Sequence, residues 1–277
     1  MPCAGRGLTP DAGARAFFRS AAPRLDDYPA VKIFYADLAP FWQLLSPVED
    51  YADEAREFLR VIEHRAPDAR RALELGSGGG HVAYHLKAHF SMTLSDLSAE
   101  MLAESARLNP DCEHVCGDMR TLDLGIRFDV VFVHDAVDYM TTEADLEAVF
   151  ATAARHLEPG GVAVFVPDHV KERYEASTDC GGGDGADGRA IRYLEWTTEL
   201  EPSATAAATH YCFLVRDADG SVRSLHERHD IGVFPQATWE RLFERAGFTV
   251  EVVEERTDDD RTGRLIFVGR KLATQPA

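Results

Sequence analysis

Chemistry is first suggested by Leu73-Glu74-Leu75-Gly76-Ser77-Gly78-Gly79-Gly80, a glycine-rich turn where a short apolar run gives way to a helical pattern. Glycines at a strand-to-helix turn let a ligand approach the backbone, and the free N–H groups and helix dipole there favour anionic groups. A plain tight connection has the same composition, so the companions of the turn matter. Asp96 closes the next apolar run, about twenty residues beyond Gly76, where an acceptor for the two hydroxyls of a ribose belongs. Gly117-Asp118-Met119 closes the third, where Asp118 can accept from a purine amine and Met119 can cover the ring. Each acid alone reads equally well as a helix N-cap or a solvated loop residue. Together the three strand ends point to an adenosine-bearing ligand. The dinucleotide fingerprint needs a third Gly or Ala where this chain has His81, and a P-loop needs Gly-Lys-Ser/Thr where it has Gly80-His81-Val82.

Glu74-x-Gly76-x-Gly78-x-Gly80, Asp96-Leu97-Ser98 followed by Met101-Leu102, Gly117-Asp118-Met119 and Leu157-x-Pro159-Gly160-Gly161 resemble the motifs of the class I S-adenosylmethionine-dependent methyltransferases over roughly residues 70 to 168. The resemblance implies a seven-stranded sheet with a reversed final hairpin and S-adenosylmethionine bound across the strand ends. It places Gly76 and Gly78 at the methionine part, Asp96 at the ribose hydroxyls, Leu97 and Met119 at the adenine ring and Asp118 at its amine. It also places Glu74, Ser77, Met101 and His134 around the cofactor, where a narrower resemblance adds Tyr35 and Tyr51. A narrower resemblance, carried by Tyr28, Tyr35 and Tyr51, by an antiparallel insertion, and by the tail from His226-Glu227-Arg228-His229 through Phe234 to Trp239-Glu240-Arg241-Leu242-Phe243, is to the N-methyltransferases that dimethylate nucleotide-linked amino sugars. Some members carry a His in the loop after the fourth strand where this chain has Tyr139.

Methyl transfer from a sulfonium asks a protein to hold the acceptor lone pair against the methyl group and exclude water. An ammonium or hydroxyl acceptor must also lose a proton. His134, Asp135 and Tyr139 are the catalytic candidates, because they follow the fourth strand at the carboxyl edge where open α/β sheets bind ligands. His134 reads equally as a packing residue beside the cofactor. Asp135 and Asp138 read as amine ligands or helix caps, and Tyr139 as a pocket wall or a packing residue. His81, His85 and His89 share a helical face, and Cys112, His114 and Cys116 share a strand face, but neither set completes a four-ligand metal site. No metal is expected. Tyr193, Trp196, Tyr211, His226, Arg228 and His229 read as either a pocket wall or a packed and dimerising sheet.

Positioning these groups requires a doubly wound α/β core. Short apolar runs (71–75, 91–95, 114–115, 130–133, 162–166) alternate with helical stretches (82–88, 99–108, 146–156), the pattern of a mostly parallel sheet with right-handed crossovers. The expected divisions are 1–66, an N-terminal arm and helical cap of two or three helices; 67–180, the cofactor-binding core; 181–233, a flexible loop at Gly181 to Gly188 and a small antiparallel insertion with a hairpin at Asp219-Gly220; and 234–277, a helix from Gln236 to Ala246 and two strands flanking Asp258-Asp259-Asp260. The 277 residues carry 29 Lys+Arg against 47 Asp+Glu, a net charge of −18. Such a surface repels phosphate backbones and anionic lipid, so the expected partner is a small molecule rather than nucleic acid or membrane, with a homodimer possible. No apolar run reaches the roughly twenty residues of a membrane span, no signal-peptide core begins the chain, and five scattered cysteines suit a reducing compartment. A cytoplasmic location is the corresponding expectation. The sequence thus reads as an enzyme that methylates a small molecule, preferably an amine such as an amino sugar, with O- or C-methylation and a silent cofactor-binding regulator as the other readings.

Overall fold

Runs without polar interruption become strands covered on both faces, and that is the origin of the central sheet. The computed structural model describes residues 32–256 and 263–272, so Tyr28 and the Asp258-Asp259-Asp260 turn lie outside the described residues. Strands β1 (Arg71–Leu75), β2 (Ser91–Asp96), β3 (Glu113–Cys116), β4 (Phe128–His134) and β5 (Leu157–Val166) are followed by β6 (Ser177–Asp184), β7 (Ala190–Thr197), β8 (Ala206–Arg216), β9 (Val222–Gly232), β10 (Phe248–Glu254) and β11 (Leu265–Lys271). The helices are α1 (Trp42–Leu45), α2 (Ala52–Arg65), α3 (His81–Leu86), α4 (Ala99–Leu108), α5 (Glu143–His156) and α6 (Gln236–Arg245).

The seven-stranded sheet has the order β10-β11-β5-β4-β1-β2-β3, parallel except for β11, which runs antiparallel to both β5 and β10. Alternate residues of each strand feed opposite layers. Leu73, Val131, Val133 and Phe165 pack against α5 and α6 through Phe150, Trp239 and Phe243, while Ala72, Val130, Phe132 and Val164 pack against α2 and α3 through Phe58, Ile62 and Leu86. Because β1 and β4 are adjacent and their crossovers leave on opposite sides, the ends of β1, β2, β4 and β5 open onto one crevice, where doubly wound sheets bind ligands.

A separate antiparallel sheet, β6-β7-β8-β9, is longer than the sequence predicts. Gly181 to Asp184, expected to be a flexible loop, is paired with β7, and only the turn between Asp184 and Ala190 remains a loop. The glycines here serve close approach. A Cβ on Gly181 would meet the Tyr193 ring at 2.8 Å, and one on Gly183 would meet the Leu44 carbonyl at 2.6 Å. Strands without side chains carry no alternation, so the pattern was invisible. The hairpin at Asp219-Gly220 forms between β8 and β9, with Asp217 accepting from Gly220 N–H and Gly220 at φ +87°. Leu38 and Phe41 of the N-terminal segment pack with Ile191, Phe213 and Val215, so this segment lies against the second sheet and reaches from it toward the crevice.

Candidate active site

The turn after β1 is held by β2. The N–H groups of Gly76 and Ser77 donate to the Ser95 carbonyl, and Gly78 N–H donates to Asp96 Oδ2 at 2.8 Å. Asp96 Oδ1 accepts Ser98 N–H at 2.8 Å, so one carboxylate ties the loops after β1 and β2 together; burial raises its pKa although these bonds oppose the shift. Gly76, Gly78 and Gly80 all have positive φ (72°, 51° and 74°), a conformation that favours glycine. A Cβ on Gly76 would collide with the Cβ of Ala136 and lie 2.8 Å from Met119 Cε. Met101 is buried under the loop, 3.6 Å from the position of a Gly78 Cβ.

Glu74 lies below this turn, 3% exposed, and its pKa is pushed up to about 8, first by burial and then by the charges of Asp96 and Asp135. Its Oε2 and the Oγ of Ser77 are buried without a hydrogen-bond partner in the protein. Buried polar atoms left in this state at a crevice are hydrogen-bonding groups that a ligand can satisfy. Asp118 departs from the free acceptor expected of it. Its two oxygens receive the Arg120 guanidinium at 2.6 to 3.1 Å, and Arg120 also donates to Asp145 at 2.9 Å. Leu97 is half-buried beside Asp96, and Met119 packs against the core near Gly76. Tyr51 donates or accepts at Ser46 Oγ (2.7 Å) and lies 5.2 Å from the His81 ring.

The loops after β4 and β5 form the other side of the crevice. His134, read from sequence as a candidate base, stacks on Phe132 with the tilted Phe58 ring on its other side, and its Nε2 lies 2.7 Å from Asp135 Oδ1 and 2.9 Å from Arg264 Nη1. Burial and then Arg264 lower its pKa to about 4. Its Nε2 thus sits between the Arg264 cation and the Asp135 carboxyl. Arg264 also donates to Asp135, Asp168, Glu54 and Glu255 at 2.8 to 3.0 Å and is 10% exposed. Sequence reasoning missed it, because a residue 130 positions from its partner leaves no spacing signal. Burial raises the pKa of both Asp135 and Asp168. Asp138 accepts from His169 Nδ1 at 2.8 Å, and burial pushes its pKa up to about 7.

Tyr139 belongs to a hydrogen-bonded chain. Its hydroxyl lies 2.8 Å from that of Tyr35 and 2.7 Å from His229 Nδ1, and His229 Nε2 lies 3.1 Å from Glu227 Oε2. Glu227 in turn accepts the N–H groups of Ile33 and Phe34. Of the His81-His85-His89 and Cys112-His114-Cys116 sets, His81 accepts from Trp42, His85 bonds Val48 O and His114 bonds Ser105.

A Methyltransferase domain family matches residues 72–161. The chain is 34% identical over 223 residues to a dTDP-3-amino-3,4,6-trideoxy-alpha-D-glucopyranose N,N-dimethyltransferase of Streptomyces venezuelae, covering 80% of this chain and 91% of that one. The chain belongs to the sugar N,N-dimethyltransferase family. A second member, a dTDP-3-amino-3,6-dideoxy-alpha-D-glucopyranose N,N-dimethyltransferase of Streptomyces fradiae, is 30% identical over 80% of this chain and 85% of its own. The crystal structure of Streptomyces venezuelae DesVI superposes with a TM-score of 0.72 at 30% identity, covering 88% of this chain and 100% of that one. S-adenosylmethionine-bound CalS10, an amino pentose methyltransferase from Micromonospora echinaspora, superposes with a TM-score of 0.67 at 27% identity, covering 88% of this chain and 99% of that one. This family member therefore uses S-adenosylmethionine, and the glycine turn, Asp96 and the unpartnered polar groups of Glu74 and Ser77 fit that group. Among the described residues no helix is long and apolar enough to cross a membrane.

Proposed function

We propose that the protein N-methylates the amino group of a nucleotide-linked amino sugar, with Asp96 accepting the ribose hydroxyls of S-adenosylmethionine and Glu74 facing its methionine end. The observation that carries this is the cluster of carboxyls at the ends of β1, β4 and β5, with Glu74 and Asp138 buried and Asp135 and Asp168 reaching toward solvent beside Arg264, alongside the family relationship. Arg264 already pairs with Asp135 and Asp168 and His169 with Asp138, so in this reading the ammonium of the acceptor joins a cluster in which carboxyls outnumber cations. The cofactor supplies, when bound, an electrophilic methyl group on a sulfonium.

The chain's own contribution is binding, orientation and exclusion of water. Gly76, Ser77 and Gly78 give close backbone approach, Met101, Leu97 and Met119 offer apolar contact, and Asp118, held by Arg120, accepts from the adenine amine in this reading. Tyr35 and Tyr51 bring the N-terminal segment over the crevice. Holding an amine in line with the methyl group supplies most of the acceleration such a reaction needs. In this reading the N-terminal segment and the insertion select the acceptor, and the enzyme is a homodimer.

The test is incubation of the purified protein with S-adenosylmethionine and dTDP-linked 3-amino and 4-amino sugars, with products read by mass spectrometry. Mono- and dimethylated products support the proposal. Methylation of hydroxyl acceptors alone, at equal cofactor affinity, refutes the amine reading while leaving methyl transfer intact.

A further inference from the structure

The insertion strand β9 is joined to the loop after β4 at two places. A Cβ on Gly232 would collide with the Met140 carbonyl, so β9 runs against that loop with nothing between them. Three residues before Gly232, His229 is 1% exposed and bonds Tyr139.

The proton order of the Glu227–His229–Tyr139–Tyr35 chain follows from its members. Glu227 is held below its ordinary range: although burial, the largest influence, raises it, the bonds from Phe34 N–H, His229 and Ile33 N–H outweigh that effect. An ionised carboxylate only accepts, so His229 Nε2 carries the hydrogen. Burial, more than any other influence, pulls the His229 pKa down, so the ring is neutral and its Nδ1 is an acceptor. Tyr139 must therefore donate to Nδ1, and its oxygen must accept from Tyr35. The outer end is the Tyr35 oxygen. Tyr35 lies between the two cofactor-side loops, its carbonyl accepting from Ser98 Oγ after β2 and its hydroxyl bonding Tyr139 after β4.

We propose that this chain is the proton acceptor of the reaction, with His229 and Glu227 acting from the insertion through Tyr139 and Tyr35 to take the proton of the substrate ammonium. The inference rests on the amine-methylation reading above. An N–H bond of the ammonium breaks as the Tyr35 oxygen takes that hydrogen; the Tyr35 hydrogen passes to Tyr139 and the Tyr139 hydrogen to His229 Nδ1. One N–H bond is lost and one Nδ1–H bond is formed, the nitrogen keeps its electron pair for attack, and the imidazolium rests beside the Glu227 carboxylate. Tyr35 and Tyr139 remain neutral phenols throughout, consistent with pKa values that burial raises above the ordinary tyrosine range. The groups facing His229 are Glu227 and Asp230 on its own strand, Lys32 and Tyr35 from the N-terminal segment, Tyr139 from the β4 loop and Tyr211 from β8. Glu227 and Asp230 favour the imidazolium and Lys32 opposes it.

The test compares wild type, His229→Gln and Glu227→Gln. In wild type, kcat stays flat as pH rises above the lowered pKa of His229. In His229→Gln, general-base help of about a hundredfold is lost at pH 7, and the deficit closes about tenfold per pH unit as the free amine forms unaided, with S-adenosylhomocysteine affinity unchanged. Glu227→Gln follows the same course with a smaller deficit. A loss that is equal at every pH means a packing role and overturns the proposal. Independently of any substrate, 15N NMR of wild type reports the His229 tautomer: Nε2–H is expected, and Nδ1–H overturns the chain. If no amine is methylated while the tautomer is Nε2–H, the substrate reading has failed and the hydrogen-bond chain has not.

Discussion

Replacing Glu74 by Gln tests the carboxyl cluster at its most buried member. A carboxyl raised from 4.5 to about 8 binds a proton in the folded state that the unfolded chain releases at neutral pH. Its contribution to stability is fully present below pH 4.5 and is lost as pH rises through 8, a change of about 5 kcal/mol at ~1.36 kcal/mol per pH unit. Glu74→Gln has no such proton to lose. Urea unfolding at pH 5, 6, 7 and 8 should therefore show the variant gaining on wild type by about 1.4 kcal/mol per pH unit across this window. At pH 7 about nine-tenths of the folded wild-type carboxyl is protonated by the same relation. A ligand ammonium arriving at Glu74 drives that proton off, so calorimetry of S-adenosylhomocysteine in buffers of different ionisation enthalpy should show close to one proton more released by wild type than by the variant. Parallel stability profiles would refute the buried-carboxyl argument. An equal proton count in the two proteins would refute the placement of the ligand's ammonium at Glu74.

Four further outcomes are expected. Asp96→Asn should weaken S-adenosylhomocysteine binding in calorimetry by about 1–3 kcal/mol, the range for a lost charged hydrogen bond; unchanged affinity removes Asp96 from the ribose site. Gly76→Ala, forced into φ +72° against Ala136 and Met119, should cost about 2–4 kcal/mol and lower Tm in differential scanning fluorimetry. Arg264→Gln should destabilise by about 3–5 kcal/mol at pH 8 and by clearly less at pH 5, because protonating Asp135 and Asp168 relieves their loss of the guanidinium; a pH-independent deficit contradicts this. The outer face of the second sheet exposes Leu194 (49%), Trp196 (56%) and Leu214 (56%), so Trp196→Glu should shift light-scattering mass from dimer to monomer; a wild-type monomer refutes the dimer.

Much of the fold is legible in the chain because its determinants are local. A βα unit writes its strand, turn and helix in consecutive residues, which is why the glycine turn, Asp96 and the order of core elements can be read without coordinates. The α5 start is equally local: Thr142 caps the helix by accepting from Asp145 N–H. The β6 strand failed this test because its Gly181-Gly182-Gly183 run presents no alternating side chains, and its identity as a strand comes from its antiparallel pairing with β7, with Tyr193 and Leu44 close against the glycines.

The family motifs, the parallel core and S-adenosylmethionine were thus determined by the sequence itself, through residue types at spacings that one strand and one helix impose. Tertiary structure alone decided which groups are left to do chemistry. His134 reads as an isolated imidazole until Arg264, just before β11, is brought against the Nε2 that also meets Asp135. Asp118 looks free until Arg120 folds onto it, and Tyr139 looks like a wall until β9 brings His229 and Glu227 behind it. These contacts join positions 90 to 130 residues apart in the first and last cases. Hydrogen-bond capacity is a property of the neighbourhood that folding assembles, and no periodicity along the chain encodes it.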